Sequence, residues 1–164
     1  METVLVPVDS HQFWLLEPDR RRGFPPRDTN GLIAVTGPGA AIIFTGISSG
    51  RVSVRAAALT AAPTAVDLDS WDEIADMSLP GPVGDLAVAA LLDHVPPGLP
   101  ALCAAGPGDY RVRVHARGRD ISPDESITQP AEIYVILCWP ASPAPAVDHK
   151  LTDHVGAGLR PASR

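Results

Sequence analysis

The residues that could do chemistry in this chain are few, and their spacing limits what each can do. Five histidines occur, His11, His94, His115, His149 and His154. None is paired at i,i+2 on a strand or in a His-x-x-x-His helical step, and Cys103 and Cys138 lie far apart. No metal site is expected from such spacing. There is no Gly-x-Ser-x-Gly, and Ser48-Ser49-Gly50 reads as a turn. Gly37-Pro38-Gly39 and Gly106-Pro107-Gly108 lack a phosphate-binding lysine and a following helix. Proline in each also removes an N–H that a phosphate cradle needs. Asp72-Glu73 is a pair of acids, but nothing in its setting marks a glycosidase pair. The expectation is a protein with no catalytic residues, no metal and no cofactor.

Two charged sets remain as candidate binding surfaces. Between Ala56 and Tyr110 there is no Lys or Arg, while Asp67, Asp69, Asp72, Glu73, Asp76, Asp85, Asp93 and Asp109 all occur. That one stretch is more negative than the whole chain, whose formal charge is −6. A one-signed field of this kind steers a basic partner, and Asp67, Asp69, Asp72, Glu73 and Asp76 are the expected contact residues. A merely solubilising surface is the ordinary alternative. The second set is Arg111, Arg113, His115 and Arg117, which could bind phosphate or a carboxylate-rich partner and would make the chain a small-molecule or phosphate-binding module. Its ordinary alternative is a solvated strand face paired with cross-strand acids. Without interleaved aromatics the set makes a poor platform for nucleic acid, so no direct nucleic-acid binding is expected.

Short strands must position these residues. Tyr110 to Arg117 alternates strictly, with Tyr110, Val112, Val114 and Ala116 on one side and the arginines and His115 on the other. That is a strand with one core face. Glu132 to Trp139 is nearly all apolar and reads as its central partner, across a polar loop from Gly118 to Pro130. Thr3–Val8, His11–Leu16, Leu32–Thr36, Ala40–Thr45 and Arg51–Ala57 read as further strands, cut by Gly, Pro and Ser-Gly breakers. Trp71–Leu79 and Asp85–Leu92 read as strands too, with a helical turn as the alternative for each. Glu17–Gly31, with Arg20-Arg21-Arg22, reads as a long surface loop.

About eight or nine short strands between turns predict an all-β, single-domain antiparallel β-sandwich over residues 1–140. Tyr110, just past a Gly-containing turn, fits the tyrosine corner of such folds. Beyond Pro140 the Pro/Ala-rich chain has little to bury, so 141–164 is expected to be a mobile tail. The composition, with 45% apolar and 20% charged residues, 18 Pro and 14 Gly, suits a globular domain of many turns. The first residues lack the basic start of a signal peptide, and no apolar run reaches the roughly 20 residues of a membrane span. With two cysteines among apolar neighbours as free buried thiols, a cytoplasmic location is expected.

Three short segments taken together carry a family likeness: Asp9-Ser10-His11-Gln12-Phe13-Trp14, Gly108-Asp109-Tyr110-Arg111-Val112 and Ile136-Leu137-Cys138-Trp139-Pro140. In this order, in a small all-β chain, they resemble the competence protein J family, inhibitors that hold a DNA-entry nuclease in check. Tyr110 to Asp120 is also similar to a segment of uncharacterised actinobacterial proteins, and this second match is the better one. The arginine segment is not part of the competence protein pattern, so no nuclease-contacting residue carries over. The resemblance implies a non-enzymatic inhibitor or immunity protein whose partner is a nuclease or other toxin, and the acidic stretch is the surface expected to meet it.

Overall fold

β-branched and apolar stretches alternate with glycine, proline and Asp-Ser breaks along the chain, and each stretch becomes a strand. The structure is a computed structural model that describes residues 1–90 and 94–161. Among these residues the order is β1 (Val4–Val8), β2 (Gln12–Leu16), β3 (Ile33–Gly37), β4 (Ala40–Phe44), β5 (Ser49–Ala58) and β6 (Glu73–Gly81). Then follow β7 (Ala87–Ala89), β8 (Gly108–Arg117), β9 (Ser126–Ile127), β10 (Ile133–Pro140), β11 (Val147–Leu151) and α1 (His154–Leu159). The expected strand over Asp85–Leu92 is present as β7, and Leu91, Leu92 and Asp93 lie outside the described residues.

The strands form two sheets. One runs β1-β5-β10-β8-β6-β11, with β9 beside β5, and the other runs β3-β4-β2-β7. All pairings are antiparallel except those of β5 with β10 and with β9. Val112, Val114 and Ala116 of β8, Tyr134, Ile136 and Cys138 of β10, and Val52 and Val54 of β5 form one buried cluster with Phe13, Leu15, Ala41 and Ile43 of the other sheet. The molecule is therefore an all-β sandwich, as the alternation in the sequence predicts. Phe13 and Tyr134 meet edge to face across the layers, with ring centroids 5.2 Å apart, a contact worth about 1 kcal/mol beyond its buried area. The tyrosine corner is present: Tyr110 donates its hydroxyl hydrogen to the Gly106 carbonyl at 2.6 Å and accepts from the Ala105 N–H.

The cysteines are free, Cys138 buried and Cys103 only half-buried. Burial pushes the Cys138 thiol up to about 12, which makes it inert. Among the described residues no helix is long and apolar enough to cross a membrane.

The mobile tail expected after Pro140 is corrected by the structure. β11 pairs along β6, Thr152 donates its side-chain hydrogen to the Asp72 carbonyl, and α1 packs against the sandwich through buried Gly156 and Asp153. This segment docks by hydrogen bonds and ion pairs more than by apolar area, so its polar sequence conceals its order.

Candidate functional site

The outer face of β8 is closed. Arg113 grips Asp76 of β6 through two bonds, Nε to Oδ1 at 2.7 Å and Nη2 to Oδ2 at 3.0 Å, and lies over the Trp139 ring. Arg111 donates to Ser78 Oγ and to the Ala144 carbonyl. His115 Nδ1 sits 3.0 Å from the Val135 carbonyl, and its ring lies against Trp71. Segments around Ala65 and Ala144 cover this face, and Arg111, Arg113 and His115 are buried. Burial holds the His115 imidazole below its usual value, against the opposing pull of the Val135 carbonyl. Burial alone would raise Asp76, but the hydrogen bonds and charge of Arg113, with His149, hold it below the ordinary carboxylate range. His149 Nε2 comes within 3.0 Å of Asp76 Oδ2, off the line of a hydrogen bond. Arg117 alone of the set is exposed, over the Trp71 ring. The expected ligand surface of Arg111, Arg113, His115 and Arg117 is therefore corrected: three of the four are buried and held by internal partners.

The expected acidic contact surface also divides. Asp67 and Asp69 are exposed, and Asp72 is half-buried with Oδ2 accepting the Gly118 N–H at 3.0 Å. Glu73 is fully buried and Asp76 is buried against Arg113. Five acids in ten residues looked like one patch, but β6 turns Glu73 toward the core side and Asp76 toward the roofed side. Only the loop acids remain available.

An open groove of about 650 Å³ lies elsewhere, where four separate segments converge. Ser10, His11 and Gln12 enter it from the start of β2, and Phe44, Thr45 and Gly46 from the end of β4. Asp120, Pro123 and Asp124 come from the β8–β9 loop, and His154, Val155, Gly158 and Leu159 from α1. Ser10, His11 and Asp124 hold positive φ of 54°, 60° and 63°. Such left-handed backbone costs a non-glycine residue of order 1 kcal/mol and gathers at functional sites. His11 Nε2 lies 2.9 Å from Asp124 Oδ1. Asp120 accepts the N–H groups of His154 and Val155 at the start of α1, at 2.9 and 3.0 Å.

Beneath the groove lies a buried ionic base. Arg119, with no exposed surface, binds Asp153 through Nε–Oδ2 at 2.7 Å and Nη2–Oδ1 at 2.8 Å. It also donates to the carbonyls of Gly31 and Phe44. Asp153 is the N-cap of α1, accepting from the Gly156 N–H at 2.7 Å. Glu73 accepts the Asp153 N–H and meets Arg119 at 3.5 Å and Arg160 at 3.3 Å. Desolvation pushes the Glu73 carboxyl up to about 7, with the neighbouring Asp153 carboxylate adding to the rise and Arg119 opposing it. Asp153 goes the other way: burial would raise it, but Arg119 holds it low. Glu132 accepts the N–H groups of Gly46 and Ile47 and the Tyr134 hydroxyl, fixing the strand end that floors the groove.

Two glycines make this convergence possible. A side chain at Gly46 would place its Cβ 2.2 Å from the Arg119 carbonyl oxygen, and one at Gly31 would sit 2.6 Å from that of Gly156.

The arrangement can hold a cation at its carboxylates and apolar matter against Phe44, Val155 and Leu159. A His–Asp pair can also move a proton, yet no hydrogen bond joins Ser10 to either imidazole among the described residues. Nor do three metal-ligating side chains gather there to hold an ion. Sequence reading missed this groove because its parts lie far apart in the chain. Asp153, a good N-cap residue ahead of His154-Val155, was the available signal for α1.

The fold and groove define an all-β sandwich with an acid-lipped recess between loops and a short terminal helix. No protein-family model matches the chain, and no curated protein matches it. Among solved structures the chain is similar to Crocagin biosynthetic gene J, at 16% identity and a TM-score of 0.49, over 85% of this chain and 96% of that one.

Proposed function

We propose that this is a non-enzymatic interaction protein that receives a basic segment of a protein partner in the groove beside α1. One observation carries the reading: the lining supplies Asp120, Asp124, two histidines and apolar Phe44, Val155 and Leu159, and no Lys or Arg. An arginine or lysine can lay its methylene stem along the apolar wall and put its charge on a carboxylate. Asp124 is 86% exposed at its side chain, so it meets a partner without first leaving a buried pair. Asp120 and Asp124 lie outside the acidic stretch from Asp67 to Asp76, so the expected charge of the partner is kept and the residues that meet it are different ones. The partner class proposed is a nuclease or similar toxin, as the competence protein J resemblance implies. Its basic cleft, shaped for phosphate, suits an inhibitor that presents carboxylates.

Titration of an arginine-rich peptide by fluorescence anisotropy tests the groove. Binding should weaken with salt, fall by about tenfold in Asp124→Lys, and stay unchanged when Asp67 and Asp69 are both replaced by Ser. Equal loss in both variants, or in neither, rejects the site. Addition to a plasmid-cleavage assay with a DNA-entry nuclease tests the partner class, with undiminished cleavage counting against it.

A further inference from the structure

Between β2 and β3 the chain leaves the sandwich as an arm, and its chemistry is the complement of the groove. The arm is pinned at both ends. Arg22 donates to the Ala90 carbonyl and lies over the Trp14 ring, and Thr36 donates its hydroxyl hydrogen to the Arg22 carbonyl. At the far end Asn30 accepts the N–H groups of Leu32 and Ile33 through its side chain. Between these anchors Phe24, Pro25, Pro26, Arg27 and Asp28 are exposed, and Arg21 is exposed just ahead of the first anchor. Phe24 is 91% exposed, far more than any other large apolar side chain among the described residues. A Pro-Pro step favours a stiff, extended presentation that loses little entropy on docking.

An aromatic ring left in water between two arginines is a ligand without its receptor. The groove is a receptor with apolar walls, carboxylates at its lip and no Lys or Arg in its lining. Anchored as it is, and with Phe24 open to solvent, the arm does not fill the groove of its own chain. We infer that the groove is filled by the arm of a second copy of this chain, Phe24 entering against Phe44 and Leu159 and an arginine reaching Asp124. Every copy carries both halves, so reciprocal docking of two copies makes a two-fold dimer with two identical contacts. The inference rests on the reading of the groove as a receiver of basic segments, and deepens it. The arm occupies the same site as the external partner, so the dimer is the resting form and a partner binds by displacing an arm.

Sedimentation equilibrium of the full chain tests this. Wild type should be a dimer that dissociates as salt rises. Phe24→Ser, at an exposed position with no folding cost, should raise the dissociation constant by about tenfold or more. Arg27→Glu and Asp124→Lys should each be monomeric alone. Mixed in equal amounts they should dimerise, since one contact is then wild-type and the other has its charges exchanged. A wild type that stays monomeric at all concentrations and salts overturns the inference, as does a Phe24→Ser dimer of unchanged strength or a mixture that stays monomeric. The groove reading is separable: a monomeric wild type that still binds the arginine-rich peptide through Asp124 removes the dimer and leaves the receptor. Failure of the peptide to bind monomeric Phe24→Ser removes the receptor reading itself.

Discussion

On the outer face of β8, Arg111 and Arg113 meet Ser78 and Asp76 under a covering layer of loop, and only Arg117 reaches solvent. At the groove the order is reversed: Arg119, Asp153 and Glu73 are sealed beneath, and Asp120 and Asp124 stand at the lip with capacity left over. The two regions use the same side-chain types, so composition does not separate a structural charge cluster from a binding one. What separates them is whether the charges balance one another behind a cover. β8 solves a folding problem, namely how to bury the outer face of a central strand that carries arginines. The groove solves the same problem at its base and leaves an unbalanced rim above it.

The largest effects should come from breaking the sealed parts. Arg119→Ala leaves Asp153 and Glu73 buried without their common partner. It should cost about 3–5 kcal/mol in urea unfolding and loosen α1, seen as faster amide exchange at Gly156. Arg113→Ala strands Asp76 in the same way, and a loss of about 3 kcal/mol is expected. The comparison predicts that peptide affinity at the groove survives Arg113→Ala under conditions where the variant is folded. An affinity loss there would show that the two regions are coupled.

A smaller effect separates the two clusters by pH. Glu73, raised to about 7 by desolvation, binds a proton in the folded state over a range where the unfolded carboxyl has released it. Its contribution to stability is therefore favourable below its unfolded value near 4.5 and declines as pH rises toward about 7. Asp76 and Asp153, held low by their arginines, have the opposite sign, and their contribution is lost only as pH falls below about 4. Glu132, raised by burial, slopes like Glu73, and His115, lowered by burial, slopes against it, so the difference from a variant is the diagnostic quantity. From pH 4.5 to 7 wild type should lose unfolding free energy relative to Glu73→Gln, which carries no titrating group at this position. Parallel curves across that range would place the proton elsewhere in the cluster.

Much of the sandwich was legible because its signals are local. Strict alternation from Tyr110 to Arg117 identifies β8 and its core face, and the apolar run ending at Trp139 identifies a central strand, which lies between β5 and β8. Alternation says which side chains leave the core, but not what covers them, and so the buried fate of Arg113 was hidden. Glu73 and Asp76 were hidden for a related reason: three residues apart on a strand, they lie on opposite faces. The groove had no local pattern at all. His11, Gly46, Asp124 and Val155 come together through sheet topology and through Arg119, which follows just beyond the arginine strand and carries no sign in the sequence of its buried place. The terminal segment was misread because capping and ion pairs, not apolar periodicity, hold it down.

The smallest expected change in stability is also the sharpest test of the comparison. His11 and Asp124 meet by a hydrogen bond at the surface, 46% and 86% exposed, where contacts between polar side chains contribute little to folding. Asp124→Asn should therefore shift the unfolding free energy by no more than about 0.5 kcal/mol, while weakening both peptide binding and the salt dependence of self-association. Arg113→Ala should do the reverse, losing stability and keeping affinity. A double dissociation of that kind follows only if one cluster is sealed and the other is open. If Asp124→Asn instead unfolds the loop, the positive φ at Ser10, His11 and Asp124 is held by the His11–Asp124 contact itself, and the rim belongs to the scaffold in the way the face of β8 does.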